Sequence, residues 1–198
     1  MTRRVFRRLR ADRRGVTAVE FAIVAPVMCM LLMGLCDLAY QSYVQSILTG
    51  AIQKAGRDST IQGSTNKTGA IDAAVMKMVK SVAKNASYTS SRMSYANFSS
   101  IKPEVFKDVG PKNEQYDLGV DCFIDINNNN EWDKDPGKVG QGGANDVVLY
   151  TIEVSYPRLF PLYGLLGFPE IQKLGATTIL KNQPWAKQNV HAAKEVCP

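Results

Sequence analysis

The stretch DINNNNEWDKD, residues 125 to 135, has the side-chain types and spacing to hold a cation. Asp125, Asn127, Asn129 and Asp133 fall at positions 1, 3, 5 and 9 of a calcium loop, with the carbonyl of Glu131 at position 7. Hard oxygen donors recurring at every second residue let one short segment wrap an ion. Asn130 stands at position 6, where such loops carry Gly, and Asn tolerates the left-handed backbone needed there. Position 12, however, is Pro136 where a bidentate Glu is expected, so Asp135 would have to contribute in a looser geometry. The competing reading is an Asn-rich hairpin turn, extended by GKVGQGGAND. Calcium is accordingly an optional ligand, and no cofactor is required.

Four cysteines fall into two settings. Cys29 and Cys36 lie in an apolar run, seven residues apart and so on one helical face, where a thiol behaves as a small apolar side chain. Cys122 and Cys197 lie in polar sequence and form the natural disulfide pair if that part of the chain is exported to an oxidising compartment. No CxxC or His/Cys spacing supports zinc. His191, the sole histidine, lies in a polar tail without a nucleophile near it in sequence. With no P-loop and no GxGxxG either, the expectation is a protein that is not an enzyme.

The remaining chemistry-bearing residue is Glu20. It is the one charge in VTAVEFAIVAPVMCMLLMGLC, residues 16 to 36. As a helix these 21 residues would extend roughly 30 Å, about the thickness of bilayer hydrocarbon. Seven arginines (Arg3, Arg4, Arg7, Arg8, Arg10, Arg13, Arg14) precede the run against one acid, Asp12. This places the N-terminus in the cytoplasm and everything after Cys36 on the far side. Elsewhere 17 Lys and Arg balance 17 Asp and Glu, so all the net charge of +6 belongs to the first fifteen residues. The body has no surplus with which to hold a polyanion, and a nucleic-acid partner is not expected.

Ordinary export signals fit poorly. Leu35, Cys36 and Asp37 follow the run where a signal peptidase would want small residues, and Leu35 before Cys36 does not suit a lipoprotein signal. Gly15 and Glu20 read together fit better: a basic leader ending in Gly, a mature residue, then Glu as the fifth residue of the mature helix is the pattern of type IV pilins and pseudopilins. GVTAVEFAIVAP further resembles the TadE-like proteins of the tight-adherence (Tad) pilus system, with their G-x-x-A-x-E-F-A string at Gly15, Ala18, Glu20, Phe21 and Ala22. That resemblance implies an inner-membrane precursor cut by a prepilin peptidase between Gly15 and Val16. Its partners would be other pilins and the Tad assembly machinery, and its role pilus assembly and surface adhesion. Glu20, beside Phe21, would pair with the new amine on a neighbouring subunit's Val16 and fix subunit register. The C-terminal ATTILKNQPW, Ala176 to Trp185, is similar to the strand that commonly closes the family's domain. The alternative is an uncleaved single-pass anchored protein with an extracytoplasmic binding or scaffolding head, its Glu20 snorkelling to the interface.

These residues need elements to position them. Beyond Asp37, apolar residues recur at Leu38, Tyr40, Tyr43, Val44, Ile47, Leu48, Ala51, Ile52 and Ala55, every three or four positions. Four segments follow: a leader over 1–15, a membrane helix over 16–36, an amphipathic continuation over 37–56 ending at Gly56, and an extracytoplasmic head over 57–198. Pro26 is a candidate kink. After a loop over 57–69, IDAAVMKMVKSVA predicts a second helix over 70–84. Strands are expected in SSIKPEVF, YDLGVDCFIDI, DVVLYTIEVSY and GATTILKN. The segment PRLFPLYGLLGFPE is an ordered loop or short helix, destined for the membrane surface, a partner subunit or the core. The fold class is α+β, with an antiparallel sheet packed on the long helix.

Overall fold

The computed structural model describes residues 15–61, 67–110, 112–161, 163–188 and 192–198; the arginine-rich stretch 1–14 and His191 lie outside the described residues. In chain order the elements are α1 (Val16–Ser59), α2 (Thr68–Lys80), β1 (Ser87–Tyr95), β2 (Phe106–Lys107), β3 (Cys122–Asp125), β4 (Lys138–Val139), β5 (Val147–Pro157), α3 (Tyr163–Leu166), β6 (Ile171–Lys181) and β7 (Lys194–Val196). The fold is α+β, with a long apolar N-terminal helix. Two compact units divide the chain: one comprises the residues up to Tyr43 with Pro157–Gln172, the other Val44–Tyr156 with Lys173–Pro198.

Helix α1 is 44 residues long and runs through Pro26. Its most apolar stretch is long enough to cross a bilayer, and none of that stretch is buried. Further along, Val44, Leu48, Ala51, Ile52 and Ala55 are buried at the three-and-four spacing. Leu38 and Tyr43 are exposed. Gly56 does not end the helix, which continues to Ser59. A Cβ at Gly56 would lie 2.1 Å from Leu180 Cδ1 and 3.0 Å from Thr178 Cγ2, so this glycine lets β6 approach the helix. Gln45 Nε2 also donates to the Gly175 carbonyl at 2.9 Å.

Helix α2 starts and stops earlier than its pattern suggested, at Thr68 and Lys80. Val75, Met76 and Val79 are buried, and Asp72 shares their face. In place of one sheet there are two, ordered β4-β1-β5-β6 and β2-β3-β7. Strand β1 pairs antiparallel with β5, setting Arg92 opposite Tyr150 and Ser90 opposite Ile152. From Tyr150 to Tyr156 alternate residues of β5 are buried, the period-two signature of a strand with one face inward. In the smaller sheet β3 lies between β2 and β7, both antiparallel to it.

Four strands differ from the sequence pattern, among them β4, whose Lys138–Val139 fall in the GKVGQGGAND extension of the Asn-rich turn. SSIKPEVF yields only a 3-10 turn at Phe98–Ser100 and the two-residue β2. Strand β1 has no apolar alternation to mark it: of the buried positions in SYTSSRMSY, Arg92 and Ser94 are polar and only Tyr95, at the strand's end, belongs to the core. Strand β7 is a three-residue segment of the polar tail, tied to β3 by a disulfide between Cys122 and Cys197 across 75 residues.

Candidate functional site

Helix α1 opens immediately after Gly15, whose carbonyl accepts the Val19 amide at 3.1 Å. Val16 and Phe21 are 52% and 65% exposed, and Glu20 is exposed as well. Val16 and Glu20 are four residues apart, so they share a helical face with a rise of about 6 Å between them. Among the described residues Glu20 has no hydrogen-bonding or ionic partner. An uncovered apolar cylinder with one unpaired carboxylate near its start can stack against like cylinders, and the carboxylate can take a cation brought by a neighbour.

The Asn-rich loop is built around Asp125 and Glu104. Asp125 is fully buried; its Oδ1 accepts the Asn128 amide at 2.6 Å and its Oδ2 the Asn130 amide at 2.8 Å. Both Asn128 and Asn130 have φ of 60°, the left-handed conformation that a tight wrap requires. The side-chain amides of Asn127 and Asn129 each donate to Asp133 Oδ2 at 2.7 Å. The structure thus brings Asn127, Asn129 and Asp133 to one point. Asp125 stands beneath as the brace of the turn, and Glu131 is exposed. Asp135 is committed elsewhere: its Oδ1 accepts the Tyr95 hydroxyl at 2.8 Å and the Gly137 amide at 3.1 Å. Burial, then the Asp135 carboxylate, push the Tyr95 phenol up to about 12.

Glu104 had no signal in the sequence, being an isolated acid after a proline. It is buried, and its two carboxylate oxygens accept the amides of Ile126 at 2.7 Å and Asp133 at 3.0 Å, clamping both ends of the loop. Trp132 donates its indole N–H to the Glu104 carbonyl at 2.9 Å and stacks on Tyr116 with ring centres 4.8 Å apart. Nearby Asp121 accepts backbone amides of Asp117 and Val109, both at 2.9 Å, which hold its carboxyl below the ordinary range against the opposing effect of burial.

Cys122 and Cys197 are bonded and sit beside Glu195, so this cluster of potential metal ligands is a disulfide with a neighbouring acid. Cys29 and Cys36 are free and exposed on α1.

Asn182, within ATTILKNQPW, is a further residue whose role the sequence did not disclose. Buried at the end of β6, it donates its amide to the carbonyls of Gln141 at 2.8 Å and Gly143 at 2.7 Å, and its backbone N–H to Asp146 at 2.8 Å. Those bonds satisfy the irregular 141–146 turn from within.

The N-terminal helix is long and apolar enough to cross a membrane, which fits a membrane-anchored protein. Residues 15–57 match the TadE-like protein family, so the N-terminal region of the chain is similar to that family. The match ends two residues short of the end of α1. That family is one of pilus components, not enzymes. No curated protein and no solved structure matches the chain.

Proposed function

We propose that the chain is a minor pilin or pseudopilin: an inner-membrane precursor, N-terminus in the cytoplasm, cut after Gly15 by a prepilin peptidase and then taken into Tad pilus assembly for surface adhesion. The observation that carries this reading is the match over 15–57, coinciding with an α1 that begins at Val16 and leaves its apolar surface uncovered. Removing the leader takes away the net charge and exposes a cationic amine on Val16. Side by side with another copy, that amine meets Glu20 of the neighbour, offsetting a carboxylate that costs a few kcal/mol when it stands unpaired within hydrocarbon. The pair sets axial register while the apolar faces pack.

Two variants test this. Gly15→Leu should leave the precursor uncut in cells that have the peptidase, and continued processing would refute the assigned scissile bond. Glu20→Ala should be cut normally yet fail to enter pili; undiminished incorporation would refute the register role.

We further propose calcium as an optional ligand of the 125–133 loop, on the observation that Asn127, Asn129 and Asp133 converge in a turn that holds two left-handed Asn residues. The ion would replace the amide-to-carboxylate bonds after the two Asn side chains rotate their oxygens inward.

A further inference from the structure

The described residues from Arg158 to Pro169 lie outside the β-sheets, and several of them are exposed. Between Arg158 and Glu170 the sequence LFPLYGLLGFP carries no charge. Leu159 and Phe168 are each 56% exposed, too open for core residues of this size. Yet the two ends of the segment are tied by specific bonds. Arg158 donates its backbone N–H to the Glu170 carbonyl at 3.0 Å and its Nε to the Pro169 carbonyl at 3.0 Å, closing the two ends of the loop. Its guanidinium lies 5.5 Å from the Phe168 ring centre and forms an ion pair with Asp37 on α1. Asp37 is the first charge on α1 after Glu20.

The level at which this loop meets the helix identifies what covers it. Phe160, Tyr163 and Phe168 line one cleft of about 370 Å³ with Met30, Leu31 and Leu35 of α1. Met30 lies six residues before Cys36, so the loop reaches down the apolar run by about 9 Å. Elements that rest in a bilayer interface bury their apolar side by about 5–10 Å, which is that depth. Tyr163 agrees with that level, since an amphipathic tyrosine ring at the end of a membrane helix marks the headgroup region. Part of the loop's polar backbone is removed or satisfied. Pro161 and Pro169 carry no N–H, and the Gly167 amide is satisfied by the Tyr163 carbonyl at 3.0 Å. Irregular backbone without such pairing would not be tolerated where water is scarce.

We propose that the Arg158–Pro169 loop is a collar that seats in the headgroup–acyl boundary of the bilayer at the extracytoplasmic end of the α1 span. The ion pair with Asp37 holds it against the helix and neutralises the first charge that would otherwise fix the water line. The collar sets how deep α1 rests, and it must leave the lipid when the subunit is withdrawn. This rests on the reading of α1 as a membrane helix, and the test separates the two.

The full chain, with Cys29→Ser and Cys36→Ser and the Cys122–Cys197 bond intact, is labelled with a nitroxide at Leu159→Cys or Phe168→Cys. Reference labels go at Val27→Cys on the apolar helix and Val139→Cys on the exposed strand β4. Each variant is placed in phosphatidylethanolamine–phosphatidylglycerol bilayers, and collision with oxygen is compared with collision with a water-soluble nickel complex. Labels at 159 and 168 should favour oxygen several-fold over the label at 139, and less strongly than the label at 27. If 27 favours oxygen while 159 and 168 meet nickel as freely as 139, the collar is refuted. Labels at 159 and 168 shielded from both reagents would mean that protein covers the loop, which also overturns it. A label at 27 open to nickel would remove the membrane helix itself, and the collar with it. Arg158→Gln should shift the label at 168 towards the behaviour of 139; no shift would overturn the role of the ion pair.

Discussion

Replacing Asp72 by Ala should destabilise the head more than any other single charge removal in it. Asp72 lies on the inward face of α2 and is 5% exposed. Its Oδ1 accepts Arg92 Nη2 at 2.5 Å and the Tyr150 hydroxyl; its Oδ2 accepts Arg92 Nη1 at 3.2 Å and Ser90 Oγ at 2.7 Å. Arg92 is itself buried, with its carbon 4.0 Å from the Tyr150 ring centre and its Nε without a partner. Removing the carboxylate therefore strands a buried cation, at a cost of about 3–5 kcal/mol. For a unit of this size that corresponds to a melting temperature lower by roughly 10–15 °C. Burial raises the Asp72 carboxyl, but hydrogen bonds from Arg92, Tyr150 and Ser90 with the Arg92 charge outweigh it and hold the group below its usual value. A depressed carboxyl contributes stability that is complete above the unfolded value of about 3.9 and lost as pH falls through the folded one. Chemical denaturation of the wild type below pH 4 should thus show a larger decline than Asp72→Ala does, the depressed Asp121 carboxyl contributing to both. The double variant Asp72→Ala/Arg92→Met should recover part of the loss, because no unpaired charge is left. A single-variant cost under about 1 kcal/mol, the range of exposed ion pairs, with no recovery in the double, would refute this reasoning.

Reducing the Cys122–Cys197 bond should lower head stability by up to about 4.5 kcal/mol, the chain-entropy value for a loop of this length, read as a loss of denaturation midpoint under reductant; an unchanged midpoint would contradict it. Gly56→Val should cost about 1–3 kcal/mol through overpacking against Leu180 and Thr178, whereas a neutral effect would mean that β6 is not held as closely as described. Calcium at millimolar concentration should release heat on titration and raise the melting temperature of the wild type but not of Asp133→Ala; silence in the wild type would remove the ion from the loop.

How far the structure could be read from residues alone depended on where apolar side chains did the positioning. The stripe Val44, Leu48, Ala51, Ile52, Ala55 and the alternation of β5 obey simple periods, so α1 and β5 were legible. Strand β1 was not, because its inward face carries polar residues whose partners lie on other elements, Ser90 and Arg92 bonded to Asp72 of α2 and Ser94 to the Lys138 carbonyl of β4. Asp72 did leave a trace: it is an acid at an apolar position of α2, in phase with Val75, Met76 and Val79. Gly56 was misread as a stop because glycine ends helices and also lets backbones approach, and only the position of Leu180 decides between them. Glu104 and Asn182 left no trace, since each acts on backbone groups far away in sequence. In the Asn-rich loop, the spacing located the residues that converge but not Asp135, which turns to Tyr95 instead. The TadE-like resemblance was legible because it lies in spacing along one segment and needs no tertiary contact, and the family match over 15–57 agrees with it.

The central claim is that this chain is made to be cut and then stacked through Glu20, and the start of the mature protein tests it most directly. Intact mass and N-terminal sequence should be measured on protein from cells with and without the prepilin peptidase. The account predicts a chain beginning at Val16 when the peptidase is present and retaining Gly15 and the arginines before it when the peptidase is absent. A chain that keeps Gly15 in both would contradict it and favour the uncleaved anchored protein.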